Sequence, residues 1–122
     1  MIKYFDHAAT TAVDKEVFEA MKPYFMEKFG NASSVYRLGK ENKEAINIAR
    51  MKVAEAINCN MNEIYFTSCG SESDNLAIKG IALANSKKGN HIITTEIEHP
   101  AVLNTCKSLE KQGYRITYLK VD

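Results

Sequence analysis

From Glu63 onward short apolar runs alternate with longer helix-patterned stretches, and this alternation restricts the fold more than any other feature of the chain. Residues 64–67, His91–Thr95 and Arg115–Leu119 are β-branched and aromatic runs of strand length. Between them, residues 71–85 and 100–112 are rich in helix formers, with apolar side chains three and four apart. Strands joined through helices cannot pair as hairpins, so the pattern predicts βαβ units and a parallel sheet with helices on its faces. Gly89 and Gly113 stand where those helices should end. The predicted class is α/β.

The first half of the chain carries a different pattern. Residues 1–13 mix small and hydroxyl-bearing side chains and read as an ordered arm ahead of the body, residues 14–122. Asp14 can cap a helix whose Val17, Ala20, Met21, Tyr24 and Phe25 fall at helical spacing, and Pro23 should kink it or end it early. Gly30-Asn31-Ala32-Ser33-Ser34 has the composition of a loop. Residues 38–57 read as the longest helix, with Ala45, Ile48, Ala49, Val53, Ala56 and Ile57 as its apolar face and Arg50 as a solvated or snorkelling side chain.

Composition excludes several function classes. With 122 residues, 45% of them hydrophobic, the chain is long enough for one modest core and too short for two ordinary domains. A formal net charge of +1 with dispersed basic residues gives no field that would gather nucleic acid or an anionic membrane. No apolar run approaches the length of a bilayer span, and the N-terminus lacks a secretory apolar core, so a cytoplasmic location is expected. The three cysteines, Cys59, Cys69 and Cys106, are widely spaced and odd in number, which fits a reducing compartment. Cys69, His99 and Cys106 lack metal-ligand spacing, so no metal is expected.

Two turns carry the chemistry. In Phe66-Thr67-Ser68-Cys69-Gly70-Ser71-Glu72-Ser73-Asp74-Asn75, small residues lie between a predicted strand and a predicted helix. A helix N-terminus presents unpaired N–H groups and a partial positive charge, Gly70 lets the backbone come close, and the hydroxyls of Ser68, Ser71 and Ser73 can donate to phosphate oxygens. The stretch reads as a phosphate cradle. Ser71-x-x-Asp74 also reads as an ordinary helix cap, and the two readings are compatible. It is not a P-loop. In Glu96-Ile97-Glu98-His99-Pro100, proline favours the first helical position, which puts His99 at the cap beyond the second strand. Ligands of open α/β sheets bind at the carboxyl ends of strands, so Ser71 and His99 should share one edge, where an imidazole suits ring stacking or proton transfer.

Three segments together resemble the NifS/IscS-type cysteine desulfurases, within the class V pyridoxal-phosphate aminotransferase superfamily. They are residues 4–11, beginning Tyr4-Phe5-Asp6-His7, residues 30–39, and the Phe66 to Asn75 turn with Leu76-Ala77-Ile78-Lys79-Gly80 after it. The likeness continues through His91-Ile92-Ile93-Thr94-Thr95, Glu98-His99 and Ala101-Val102-Leu103 to Tyr118-Leu119-Lys120-Val121-Asp122. Ala32 stands where the family commonly has proline, Tyr36 where many members have histidine, and Cys69-Gly70-Ser71 where Gly-Ala-Thr is common.

The resemblance implies the N-terminal part of the large domain of a fold-type I pyridoxal-phosphate-dependent transferase, a parallel or mixed sheet with flanking helices. It implies that Gly70 and Ser71 hold the phosphate of pyridoxal 5′-phosphate and that His99 lies against its ring and assists proton transfer. The implied reaction takes sulfur from L-cysteine, leaving L-alanine, and passes it through an enzyme persulfide to a sulfur acceptor or scaffold protein of iron–sulfur cluster assembly. The family is homodimeric. Its Schiff-base lysine and catalytic cysteine are expected beyond the position of Asp122, so this stretch alone is expected to be inactive. Lys79, Lys87 and Lys88 read as solvated and Cys106 as a small core residue. Two alternatives stay open: a non-catalytic α/β binding or dimer-forming module, and another class V enzyme such as a selenocysteine lyase.

Overall fold

Helices form where the periodicity places them, and one of the predicted strands does not form. The computed structural model describes residues 3–122, so the first two residues of the predicted arm lie outside the described residues. The chain divides into two units, one ending at Ile64 and one running Tyr65–Asp122.

In the first unit, residues 3–14 hold no helix or strand; a turn closes with Ala9 N–H on Asp6 O at 3.1 Å. Asp14 caps helix α1 (Lys15–Met21) by accepting from Glu16 N–H at 2.8 Å. Pro23 breaks the pattern as expected, because its ring cannot continue the helix and suits the first position of the next, α2 (Pro23–Met26). Helix α3 (Arg37–Ala56) is the longest. A 3-10 turn (Met61–Glu63) follows, closed by a capping box between Asn60 and Glu63.

The buried face of α3 differs from the predicted one. Gly39, Asn42 and Ala54 are buried, while Ile48, Val53 and Ile57 are exposed. The reason is the loop at residues 30–34, which crosses the first turns of the helix. A Cβ on Gly39 would lie 2.6 Å from both Asn31 O and Ser34 O, and one on Gly30 would lie 2.6 Å from Leu38 Cγ. Asn42 Nδ2 donates to Gly30 O at 2.5 Å. Close backbone approach and a buried amide therefore organise this end of the helix, where an apolar stripe was expected. Arg50 is anchored rather than free in solvent: its Nε donates to Ile64 O at 3.2 Å and its guanidinium reaches Asn47 Oδ1 at 3.2 Å.

In the second unit, helix α4 (Gly70–Ala84) precedes strand β1 (His91–Thr95), helix α5 (Pro100–Glu110) and strand β2 (Arg115–Leu119). The strands are parallel, with His91 opposite Arg115 and Thr95 opposite Leu119, and α5 makes the crossover. This is the expected βαβ unit, and Gly113, at φ +94°, turns the chain out of α5 into β2. The predicted strand at residues 64–67 is corrected. Ile64 has extended dihedrals (φ −95°, ψ 124°), but its N–H closes the 3-10 turn on Met61 O, and the described sheet has two strands. A β-branched, aromatic run supplies strand conformation and cannot by itself supply a ladder partner.

The centre of the second unit is the inner face of α5, where Thr105, Cys106 and Leu109 are 2%, 1% and 1% exposed. Cys106 is thus the core residue that its pattern indicated, and burial pushes its thiol above the ordinary value, helped by the carboxylates of Glu110 and Glu98. Tyr114 Oη donates to Ala82 O at 3.0 Å, tying β2 to α4. No helix of the described residues is long and apolar enough to cross a membrane.

Candidate functional site

The entry to α4 is set one residue earlier than the Ser71 cap predicts. Cys69 is the extended residue before the helix, and Gly70 begins it. The Glu72 carboxylate reaches back to Ser68, accepting from its N–H at 2.6 Å and from its hydroxyl at 2.6 Å. Those two bonds hold Glu72 below its ordinary carboxylate value. They also fix the turn through Ser68 and leave Ser71 as the second residue of the helix.

This arrangement separates the three serines. Ser68 spends its only proton on Glu72; Cys69 Sγ, 3.8 Å away, is the poorer acceptor. Thr67 Oγ1 donates to Cys69 O at 3.1 Å, so in the 2.6 Å contact between Thr67 and Ser73 the proton comes from Ser73. Ser68 and Ser73 are therefore committed internally, contrary to the expectation that all three hydroxyls could serve a ligand. The Ser71 hydroxyl makes no bond among the described residues. No side chain caps α4, and a Cβ on Gly70 would meet no atom within 4 Å. The start of α4 is thus open at Gly70 and stands beside a free Ser71 hydroxyl, with the Ser73 N–H bonded to Cys69 O at 3.1 Å.

Cys69 is exposed, and its thiol lies below the ordinary value, chiefly because the Glu72 backbone N–H stabilises the charged sulfur. Cys69 thus places a polarised thiol at the entry to α4.

His99 caps α5, with Pro100 at the first helical position as expected. Its Nδ1 accepts from Ala101 N–H at 3.1 Å, which requires an unprotonated Nδ1 and puts the ring proton on Nε2. The structure brings Ser71 and His99 together: both line one open cavity of about 460 Å³ between α4 and α5, with Asn75, Lys79, Asn104 and Thr105. Gly70 precedes this lining by one residue.

Lys79 was expected to be solvated, yet it is half-buried against this cavity. Its place was legible, since Ser71, Asn75 and Lys79 recur at intervals of four and share one helix face. Thr105 and Asn104 carried no such signal, because their approach depends on how α5 packs against α4. No group of three or more His, Cys, Asp or Glu side chains able to hold a metal occurs among the described residues.

Comparison with known proteins identifies the family. Residues 3–122 match the family model for class-V aminotransferases. A cysteine desulfurase IscS from Methanosarcina thermophila is 63% identical over 119 residues, covering 98% of this chain and 30% of that protein. One from Dictyoglomus turgidum is 58% identical over the same length and with the same coverage. Among solved structures, a NifS-like protein superposes with a TM-score of 0.91 at 43% identity, covering 98% of this chain and 33% of the other. A structure described as SspA in complex with cysteine gives 0.88 at 45% identity, covering 97% and 34%. The chain spans about 30% of the length of the curated relatives it matches. Matched over nearly all its length, the chain belongs to the class-V aminotransferase family.

Proposed function

We propose that this chain contributes the phosphate-holding and ring-facing part of a pyridoxal-phosphate site in a cysteine desulfurase. The carrying observation is that the uncapped α4 N-terminus, the free Ser71 hydroxyl and the His99 ring converge on one cavity. The residues fit the cofactor. An uncapped first turn with open space at Gly70 accommodates a dianionic phosphate, and a ring nitrogen that carries a proton is available beside it. When bound, pyridoxal phosphate serves as an electron sink for an amino-acid substrate.

In this reading the Gly70 and Ser71 backbone and the Ser71 hydroxyl bind and orient the phosphate. His99 is fixed by its Nδ1 bond to Ala101 N–H, covers one face of the ring and holds a proton at Nε2. The substrate is L-cysteine, its sulfur passes to a protein acceptor, and the working assembly is a cytoplasmic homodimer. The covalent lysine and the sulfur-carrying cysteine of that reaction are assigned to no residue of this chain. Residues 1–13 form the arm and 14–122 part of the large domain.

The test is a calorimetric titration of the 122-residue chain with pyridoxine 5′-phosphate, which lacks the aldehyde and so cannot label lysines at random. Saturable binding should be absent with pyridoxine. It should weaken roughly ten- to a hundredfold in Ser71→Ala, as expected for a lost hydrogen bond to a charged group. It should persist in Ser73→Ala, whose hydroxyl is committed to Thr67. Equal binding by wild type and Ser71→Ala would overturn the proposal.

A further inference from the structure

Glu72 is the third residue of α4, an anion at the very end of the helix where the cofactor reading places a phosphate. A glutamate at that position ordinarily returns to the N–H of the capping residue. Here it reaches past Cys69 and takes both donors of Ser68, the N–H and the hydroxyl, each at 2.6 Å. The other side of the turn is held separately. The Ser73 N–H and the Thr67 hydroxyl both reach Cys69 O at 3.1 Å, and Ser73 donates to Thr67 at 2.6 Å. The turn is thereby latched to the first turn of α4 at two points, Cys69 O and Ser68. Packing adds little there, since Ser68 to Glu72 are all exposed and a Cβ on Gly70 would meet no atom within 4 Å.

We infer that Glu72 is a positioning residue for the phosphate end of the site: by holding Ser68 it fixes the turn that sets Gly70 and Ser71 in place to receive the phosphate. The inference rests on the cofactor reading and deepens it by naming a residue that acts on the phosphate only through Ser68. A turn held before the ligand arrives gives up less conformational freedom when it binds. The carboxylate charge by itself opposes a phosphate, but it is exposed and engaged by two donors, and salt at about 0.15 M screens exposed charges within about 8 Å. What the turn needs at residue 72 is therefore the acceptor oxygen and the length of the side chain, and glutamine supplies both.

The test titrates the 122-residue chain and its variants with pyridoxine 5′-phosphate by calorimetry at about 0.15 M salt. Backbone heteronuclear NOE values at residues 68–71 are measured on the same samples without ligand. Glu72→Ala should weaken binding about tenfold and lower those values, with helical circular dichroism retained. Glu72→Gln should restore both to near the unsubstituted chain. Ser68→Ala removes only the hydroxyl bond and should weaken binding by about threefold, and it decides the matter if Glu72→Ala does not fold. Binding by Glu72→Ala as tight as or tighter than that of the unsubstituted chain, an equal loss in Glu72→Gln, or unchanged binding in Ser68→Ala where Glu72→Ala does not fold would overturn the inference. Binding that Ser71→Ala weakens and Glu72→Ala does not would remove Glu72 while leaving the cofactor reading in place. Absence of saturable binding by the unsubstituted chain would overturn the cofactor reading and this role with it.

Discussion

Adding one methyl group at two helical glycines should change stability in opposite directions. At Gly39 a Cβ would lie 2.6 Å from Asn31 O and from Ser34 O, and 2.8 Å from Ser34 Cβ. Ordinary contact begins at 3.4 Å, so helix α3 and the loop at 30–34 must part by roughly 0.8 Å against two backbone oxygens that cannot rotate away. Overpacking of this kind costs about 1–3 kcal/mol. The same parting stretches the Asn42–Gly30 bond, worth about 1 kcal/mol. Alanine returns about 1 kcal/mol of helix propensity. The net expectation for Gly39→Ala is a loss of about 1–3 kcal/mol. At Gly80, inside α4, a Cβ meets nothing within 4 Å, so only the propensity term acts and Gly80→Ala should gain about 0.5–1 kcal/mol. Urea unfolding followed by helical circular dichroism reads both. With a slope of about 1.5 kcal/mol per molar urea, the midpoint should fall by roughly 1–2 M in the first variant and rise by about 0.5 M in the second. Equal or higher stability for Gly39→Ala would refute the close approach of the loop to α3.

Three further outcomes follow from the second unit. Iodoacetamide at pH 7.5 should alkylate Cys69 first and Cys106 last by peptide mass mapping, because the Glu72 N–H favours the Cys69 thiolate while burial disfavours that of Cys106. Glu72 titrates below its ordinary value in the folded chain, so its stabilising effect is present above that ordinary value and is lost as pH falls through the lower folded one. Glu72→Gln should therefore flatten the acid limb of a stability–pH profile and leave its alkaline side unchanged in shape. Tyr118 has a buried hydroxyl with no partner among the described residues, and burial raises its phenol above the ordinary value. Tyr118→Phe should be neutral or stabilising in thermal unfolding, and clear destabilisation would contradict the absence of a partner.

The parts of the fold that rest on local chemistry were readable. Asp14, Pro23 and Pro100 act through their own backbone and side-chain geometry, and α1, α2 and α5 begin where those residues place them. The β1–α5–β2 unit follows from period and length, since two short apolar runs separated by a helix pair in parallel. The site was readable to the level of the turn. Gly70, Ser71 and His99 stand at helix starts, and Ser71 and His99 line one cavity.

Distances between separate segments decided the rest. The β-branched run at 64–67 specifies an extended backbone, but pairing needs a neighbour that the run does not encode, so no ladder forms there. Helical spacing offered α3 an apolar face, and the loop at 30–34 settled its burial at Gly39 and Asn42, because backbone oxygens 2.6 Å from a would-be Cβ leave room only for glycine. Lys79 and Thr105 meet at one cavity only because α4 packs on α5. Sequence by itself determined where the helices and the β1–α5–β2 unit form, to within a residue or so at their starts, since capping, turn chemistry and periodicity act over a few residues. Only the tertiary structure decided which residues α3 buries and which side chains of α4 and α5 share one cavity, because packing depends on what else arrives within a few ångströms.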